Sequence, residues 1–122
     1  MTRINVAIDP AELTDKHLLA EHREIKRSPN MVKSGRAKIK DLPNKFTLGK
    51  GHVKFFYDKL GYLKVRYERI YEECKRRGFN IEYYGNAWEN IPEELMNNYI
   101  PTKEDETIIR ERINERLYGK RV

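Results

Sequence analysis

From His52 to Arg77 the apolar residues Val53, Phe56, Tyr57, Leu60, Leu63, Tyr67, Ile70 and Cys74 recur mostly at steps of three and four, which places them on one stripe of a helix. Gly78 follows where a left-handed residue ends a helix. Upstream, Asp9-Pro10-Ala11-Glu12 has the makings of a helix start, with a capping acid, a proline at the first helical position and a second acid three residues after the cap. A first helix is predicted from there to about Arg27. Ser28-Pro29-Asn30 then punctuates the chain, and the stretch through Leu42-Pro43-Asn44 reads mostly as loop, closed by Gly49 and Gly51. Toward the end, Thr102 can cap a third helix in which Ile109, Ile113 and Leu117 repeat at four while Arg112 and Arg116 occupy the neighbouring stripe. Between the second and third helices, Phe79 to Pro101 holds five aromatics and two prolines without a sustained period, so it should wrap the core as loop. No segment reads convincingly as a strand. The expected fold is all-α, a compact single domain over residues 1–122 with three main helices and long irregular connections.

With 122 residues and 39% hydrophobic side chains, the chain can bury one modest core. The lone Cys74 cannot form an internal disulfide, and the chain has no leading apolar stretch. An intracellular protein is expected. No run approaches the roughly 18 apolar residues of a membrane span, so no membrane partner is expected either. The net charge of +6 is unevenly spread: Lys26 to Lys54 holds nine Lys or Arg against one acid, Asp41, whereas the rest carries 16 basic and 18 acidic residues. Such segregation suits a polyanion, because cations near phosphates release condensed counterions. A solvated loop is the plain alternative.

His17, Glu24 and Arg27 lie seven and three residues apart with Ala20 between them, so they share a face of the first helix, with Arg23 beside them and the short arm Thr2-Arg3-Ile4-Asn5 nearby. By themselves these groups also fit an ordinary surface helix with Glu24 paired to a neighbouring cation. The histidines at 17, 22 and 52 and the single cysteine have no common ligand spacing, so no metal is expected. Gly49-Lys50-Gly51 is too short a pattern to claim phosphate cradling. Trp88 is read as core rather than as a stacking platform.

Four ordered blocks sharpen this picture. Met1-Thr2-Arg3-Ile4-Asn5 with the steps His17-Leu18, Ala20-Glu21, Arg23-Glu24 and Arg27 is the first, and Leu48-Gly49-Lys50-Gly51-His52-Val53-Lys54-Phe55-Phe56-Tyr57-Asp58-Lys59-Leu60 is the second. Glu73-Cys74-Lys75-Arg76-Arg77-Gly78-Phe79-Asn80-Ile81 and Asn98-Tyr99-Ile100-Pro101 complete the set. Together they resemble the phage-type pyrimidine-dimer DNA glycosylase/AP lyase, the dimer-specific endonuclease V family.

The resemblance implies an arm threaded between helices that leaves the Thr2 amine, once Met1 is removed, beside the carboxylate of Glu24. It implies that Thr2 attacks C1′ of a damaged nucleotide and that a Schiff base carries β-elimination. Glu24 would stabilise the sugar cation and handle protons. Arg3, Arg23 and Arg27 match phosphate-gripping positions, His17 a residue near the same pocket, and Arg112 and Arg116 cationic positions on the third helix. Lys120, in the retained Tyr118-Gly119-Lys120 part, joins these DNA contacts. The implied partner is double-stranded DNA with a damaged base or an abasic site, bound by a monomer without a cofactor. Elementary acid–base chemistry agrees: an α-amine with a reference pKa of about 8 is roughly a tenth unprotonated at neutral pH, whereas a lysine at about 10.4 is so to well under a thousandth.

Departures from the family pattern bear on specificity. The family's aromatic C-terminal segment is missing, since Leu117 leads directly into Tyr118-Gly119-Lys120-Arg121-Val122; the basic connection is shorter; and His22 replaces an aromatic. A different lesion or modified base, or a DNA-binding module without turnover, remain the competing expectations.

Overall fold

The computed structural model describes residues 4–37, 39–48 and 52–118, with residues 117 and 118 described by their backbone alone. Among these residues the regular structure is helical: α1 (Asp15–Glu24), α2 (Arg27–Lys33), α3 (Leu60–Arg76) and α4 (Lys103–Tyr118), with single 3-10 turns at Pro10–Glu12, Lys54–Phe56, Gly85–Trp88 and Glu93–Leu95. No strand forms among the described residues, where Lys59 and Met96 make an isolated bridge. The all-α fold expected from the hydrophobic spacing is therefore observed, with three long or medium helices and one short one.

The first predicted helix is divided. Asp9 caps the 3-10 turn through its side chain to the Ala11 N–H, and the backbone then extends at Leu13. Thr14, not Asp9, caps α1, its hydroxyl accepting from the His17 N–H. At the far end the chain turns at Lys26 and resumes as α2, which contains Ser28-Pro29-Asn30 rather than being stopped by it. Proline explains both facts. Pro29 has no N–H to donate to the Ile25 carbonyl, so a continuous helix would lose that bond, but in the first turn of a new helix the donor is not needed. The Ser28 N–H takes up the Ile25 carbonyl instead, at 3.4 Å.

The second predicted helix starts later than His52. Lys59, at φ −126° and ψ 37°, separates the turn at Lys54–Phe56 from α3. Its inward stripe is as predicted from Leu60 onward: Leu60, Leu63, Tyr67, Ile70 and Cys74 are buried, joined by the charged Arg66 and Glu73. Gly78 follows with φ 84° and supplies the left-handed stop. Gly61 lets the 96–97 segment lie directly on α3, since a Cβ there would come within 2.5 Å of the Met96 carbonyl oxygen.

α4 begins as expected at Thr102. The Thr102 hydroxyl accepts from the Asp105 N–H and the Asp105 carboxylate from the Thr102 N–H, each at 3.0 Å, a reciprocal cap. Tyr99 donates to the same carboxylate. The core gathers Ile4, Val6 and Ile8 of the arm, Leu18 and Ile25, Phe46, Phe55 and Phe56, the α3 stripe, Trp88 and Ile109. The loop from Phe79 to Pro101 does wrap it, and Trp88 is a core residue as expected.

Candidate active site

The arm from Ile4 to Ile8 is buried between α1 and α3. The Ile4 N–H donates to His52 Nε2 at 2.7 Å, which leaves the proton of a neutral imidazole on Nδ1, where it meets the Thr47 carbonyl at 3.0 Å. The Asn5 amide donates to Glu21 Oε1 of α1 at 2.8 Å. From α3, Arg66 donates to both Glu21 oxygens, at 2.5 and 2.9 Å, and to the Ile8 carbonyl at 2.8 Å. Glu21 and Arg66 are themselves buried. Burying two charges is costly unless they are paired and their remaining hydrogen-bonding capacity is used, and here the arm uses it.

The order of contacts gives the direction of the arm. Along α3, Arg66 meets Glu21 and Ile8, Arg69 pairs with Asp9, and Arg77 binds Asp15 and the carbonyls of Pro10, Ala11 and Leu13. α1 and α3 are thus antiparallel. Read backward from Leu13 to Ile8, the contacts move from Arg77 back to Arg66 along the α3 side, and Asn5 then meets Glu21 in the last turn of α1, so the arm runs toward the end of α1. Glu24 stands at that end.

Glu24 is the last residue of α1 and only 16% exposed, 3.6 Å from the exposed Arg23 guanidinium. Arg27 opens α2 at the surface, one turn further. His17 lies on the first turn of α1, partly buried, with Nδ1 enclosed and without a hydrogen-bond partner. Burial pushes its proton affinity down, and the charges of Lys16, Arg116 and Arg112 add to that against the opposing Glu21. The charges of Arg112 and Arg116 on α4 are thus felt at His17. Arg112 is half-buried, and burial, followed by the nearby Arg116, lowers its pKa, with Glu115 opposing. Thr2, Arg3 and Lys120 lie outside the described residues.

His22, which stands at the position of an aromatic in the family pattern, is buried on a different side of α1. It packs against Tyr67, Tyr71 and Tyr84, with ring centroids 5.5, 6.4 and 4.9 Å away. Its Nε2 lies 3.1 Å from both the Glu82 carbonyl and the Tyr67 hydroxyl. Burial lowers its pKa, the Glu82 carbonyl opposes this, and Lys26 and Arg23 add to the lowering. Tyr67 receives the Tyr84 N–H at 2.6 Å, and burial pushes its phenol up to about 12. Lys26, the first cation of the basic stretch, stands 3.4 Å over the Tyr84 ring. Further along that stretch, Lys33, Arg36, Lys40 and Lys45 face solvent.

Sequence reasoning missed the groups that hold the arm: Asn5, Glu21, His52 and Arg66. Two of them carried a signal. Glu21 falls between Leu18 and Ile25, and Arg66 between Leu63 and Tyr67, so each is a charge placed on an apolar stripe, and opposite charges on two buried stripes are a candidate pair.

An all-α chain with a basic segment, a partly buried carboxylate next to an arginine at the end of α1, and a histidine that feels two arginines of α4 at its start suits a protein that handles nucleic acid. A family model described as pyrimidine dimer DNA glycosylase matches residues 1–84, and the chain belongs to that family. It is accordingly a DNA repair protein of the glycosylase kind, and its family's partner is damaged DNA. Among the described residues, no helix is long and apolar enough to cross a membrane.

Proposed function

We propose that the chain is a glycosylase with associated AP lyase activity on UV-damaged duplex DNA, acting through the amine of Thr2 with Glu24 as its proton-handling partner. The observation that carries this reading is the course of the arm toward the end of α1. Two peptide units separate the Thr2 nitrogen from Ile4, about 7 Å when extended. Glu24 stands one turn beyond Glu21, about 4.5 Å along the helix axis, and Glu21 already touches Asn5. The span fits the reach.

The chemistry balances without a cofactor. The amine nitrogen bonds to C1′ as the base departs with the glycosidic electron pair and takes up a proton. Glu24 takes the proton that the newly bonded nitrogen sheds and passes it to O4′ as the sugar ring opens to the imine. Loss of a 2′ proton then expels the 3′ phosphate with its electron pair, and water hydrolyses the imine to return the amine. Reaching C1′ requires the duplex to be opened at the lesion, at a cost of a few kcal/mol that phosphate contacts help offset. His17, Arg23, Arg27, Arg112 and Arg116, with Arg3 and Lys120, are the proposed contacts. Arg112 and Arg116 stand one turn apart on α4, and like charges so placed favour an anion such as a phosphate, which supports this assignment.

Borohydride reduction in the presence of irradiated or abasic duplex tests the proposal. The mature chain should give a covalent adduct with both substrates, and Glu24→Gln or retention of Met1 should abolish it while duplex binding persists. Adduct with abasic DNA alone would move the lesion specificity elsewhere. Binding with no adduct at all would leave a DNA-binding module.

A further inference from the structure

The arm that leads to the proposed nucleophile is held by one buried ion pair, and that pair does more than join two helices. Glu21 Oε1 receives both the Asn5 amide and an Arg66 Nη2–H, Oε2 receives Arg66 Nε, and the remaining Arg66 nitrogen takes the Ile8 carbonyl. The arm is thereby gripped at two points three residues apart, one from each helix. An apolar pair could fill the same space between α1 and α3 at no loss of packing, but it could grip neither the amide nor the carbonyl.

We propose that Glu21 and Arg66 are positioning residues for the amino-terminal nucleophile, fixing the line along which the chain start meets Glu24. The proposal rests on the reading of the Thr2 amine given above. Glu21 and Glu24 occupy the same helix one turn apart, so whatever fixes Asn5 on Glu21 also fixes the arm relative to Glu24. His52 adds the third point at Ile4. Reacting groups displaced by about 1 Å lose on the order of a hundredfold in rate, so a loosened arm should slow chemistry with little effect on DNA affinity.

The test uses two variants of the full chain. The double replacement Glu21→Leu with Arg66→Met removes both charges together and leaves no unpaired one. Asn5→Ala keeps the ion pair and cuts only the link to the arm. Single-turnover cleavage of saturating abasic duplex, duplex affinity, borohydride adduct yield and melting temperature are measured for each. We expect folded variants with affinity within about twofold of the parent and a single-turnover rate at least about tenfold lower per trappable molecule. A merely structural pair would change the folded fraction and the melting temperature but leave that normalised rate unchanged, which overturns the proposal. If the double variant fails to fold, Asn5→Ala alone decides in the same way. No adduct from the parent chain overturns the reading of Thr2 and the positioning proposal with it, whereas adduct from the parent and equal rates in the variants overturns the positioning alone.

Discussion

Burial, and after it the charge of Arg116 one turn along α4, lower the pKa of Arg112, and the two cations add to the burial that lowers the pKa of His17. Like charges brought together at a half-buried site destabilise the free protein slightly and favour any anion that enters. This predicts the behaviour of Arg112→Ala: duplex affinity falls alike for damaged and undamaged sequences, and the slope of log affinity against log salt becomes shallower by about one. Filter binding or fluorescence anisotropy between about 50 and 200 mM salt checks it. An unchanged slope would place Arg112 away from phosphates. Glu24 differs from these cations because it is partly buried at a helix end and, among the described residues, makes a long contact to Arg23. Its neighbour Glu21, of the same residue type, is fully committed to Arg66 and Asn5, so the two carboxylates of one helix serve different ends.

At the level of elements, the junction of arm, α1 and α3 depends on the last turn of α3. Glu73 accepts from Arg76 and from Arg77, the latter at 2.7 Å, and those bonds hold its carboxyl down at about 2. Arg77, fixed in this way, reaches Asp15 at 2.9 Å and the Leu13 carbonyl at 2.8 Å. A carboxyl whose folded pKa lies below its unfolded value of 4.5 contributes stability above that value and loses it as pH falls through the interval down to about 2. The melting temperature should therefore drop between these limits, and Glu73→Gln should show a lower melting temperature at neutral pH with a flatter acid limb. Equal acid limbs in the two proteins would contradict this. Helix identities were legible in the sequence because α3 buries one apolar stripe and α4 opens on the Thr102 cap and buries Ile109. The starts of α2 and α3 were less so: Pro29 permits a helix it also interrupts, and His52, placed in a helical run, is taken instead by Ile4 and Thr47. Tertiary hydrogen bonds of that kind have no local signature.

Over the whole molecule, charge and chemistry fall into separate regions. The Lys26 to Lys54 segment presents most of its described cations to solvent, suited to long-range attraction of a polyanion, whereas α1, α4 and the arm gather the half-buried groups suited to chemistry. The ordered motifs made the family readable and the apolar spacing the helical architecture, whereas the common helix face expected of His17, Glu24 and Arg27 is broken, because α1 ends at Glu24 and Arg27 opens α2. The arm's anchorage was not readable, because Glu21 with Arg66 and Ile4 with His52 join positions 45 and 48 residues apart, and only the folded chain brings them together. The central claim is that the amine of Thr2 forms the bond to the sugar, and mass spectrometric mapping of the reduced DNA adduct tests it most directly. After proteolysis, the account predicts the sugar remnant on the α-nitrogen of Thr2 in the peptide that begins the mature chain; the same remnant on a lysine side chain would contradict it.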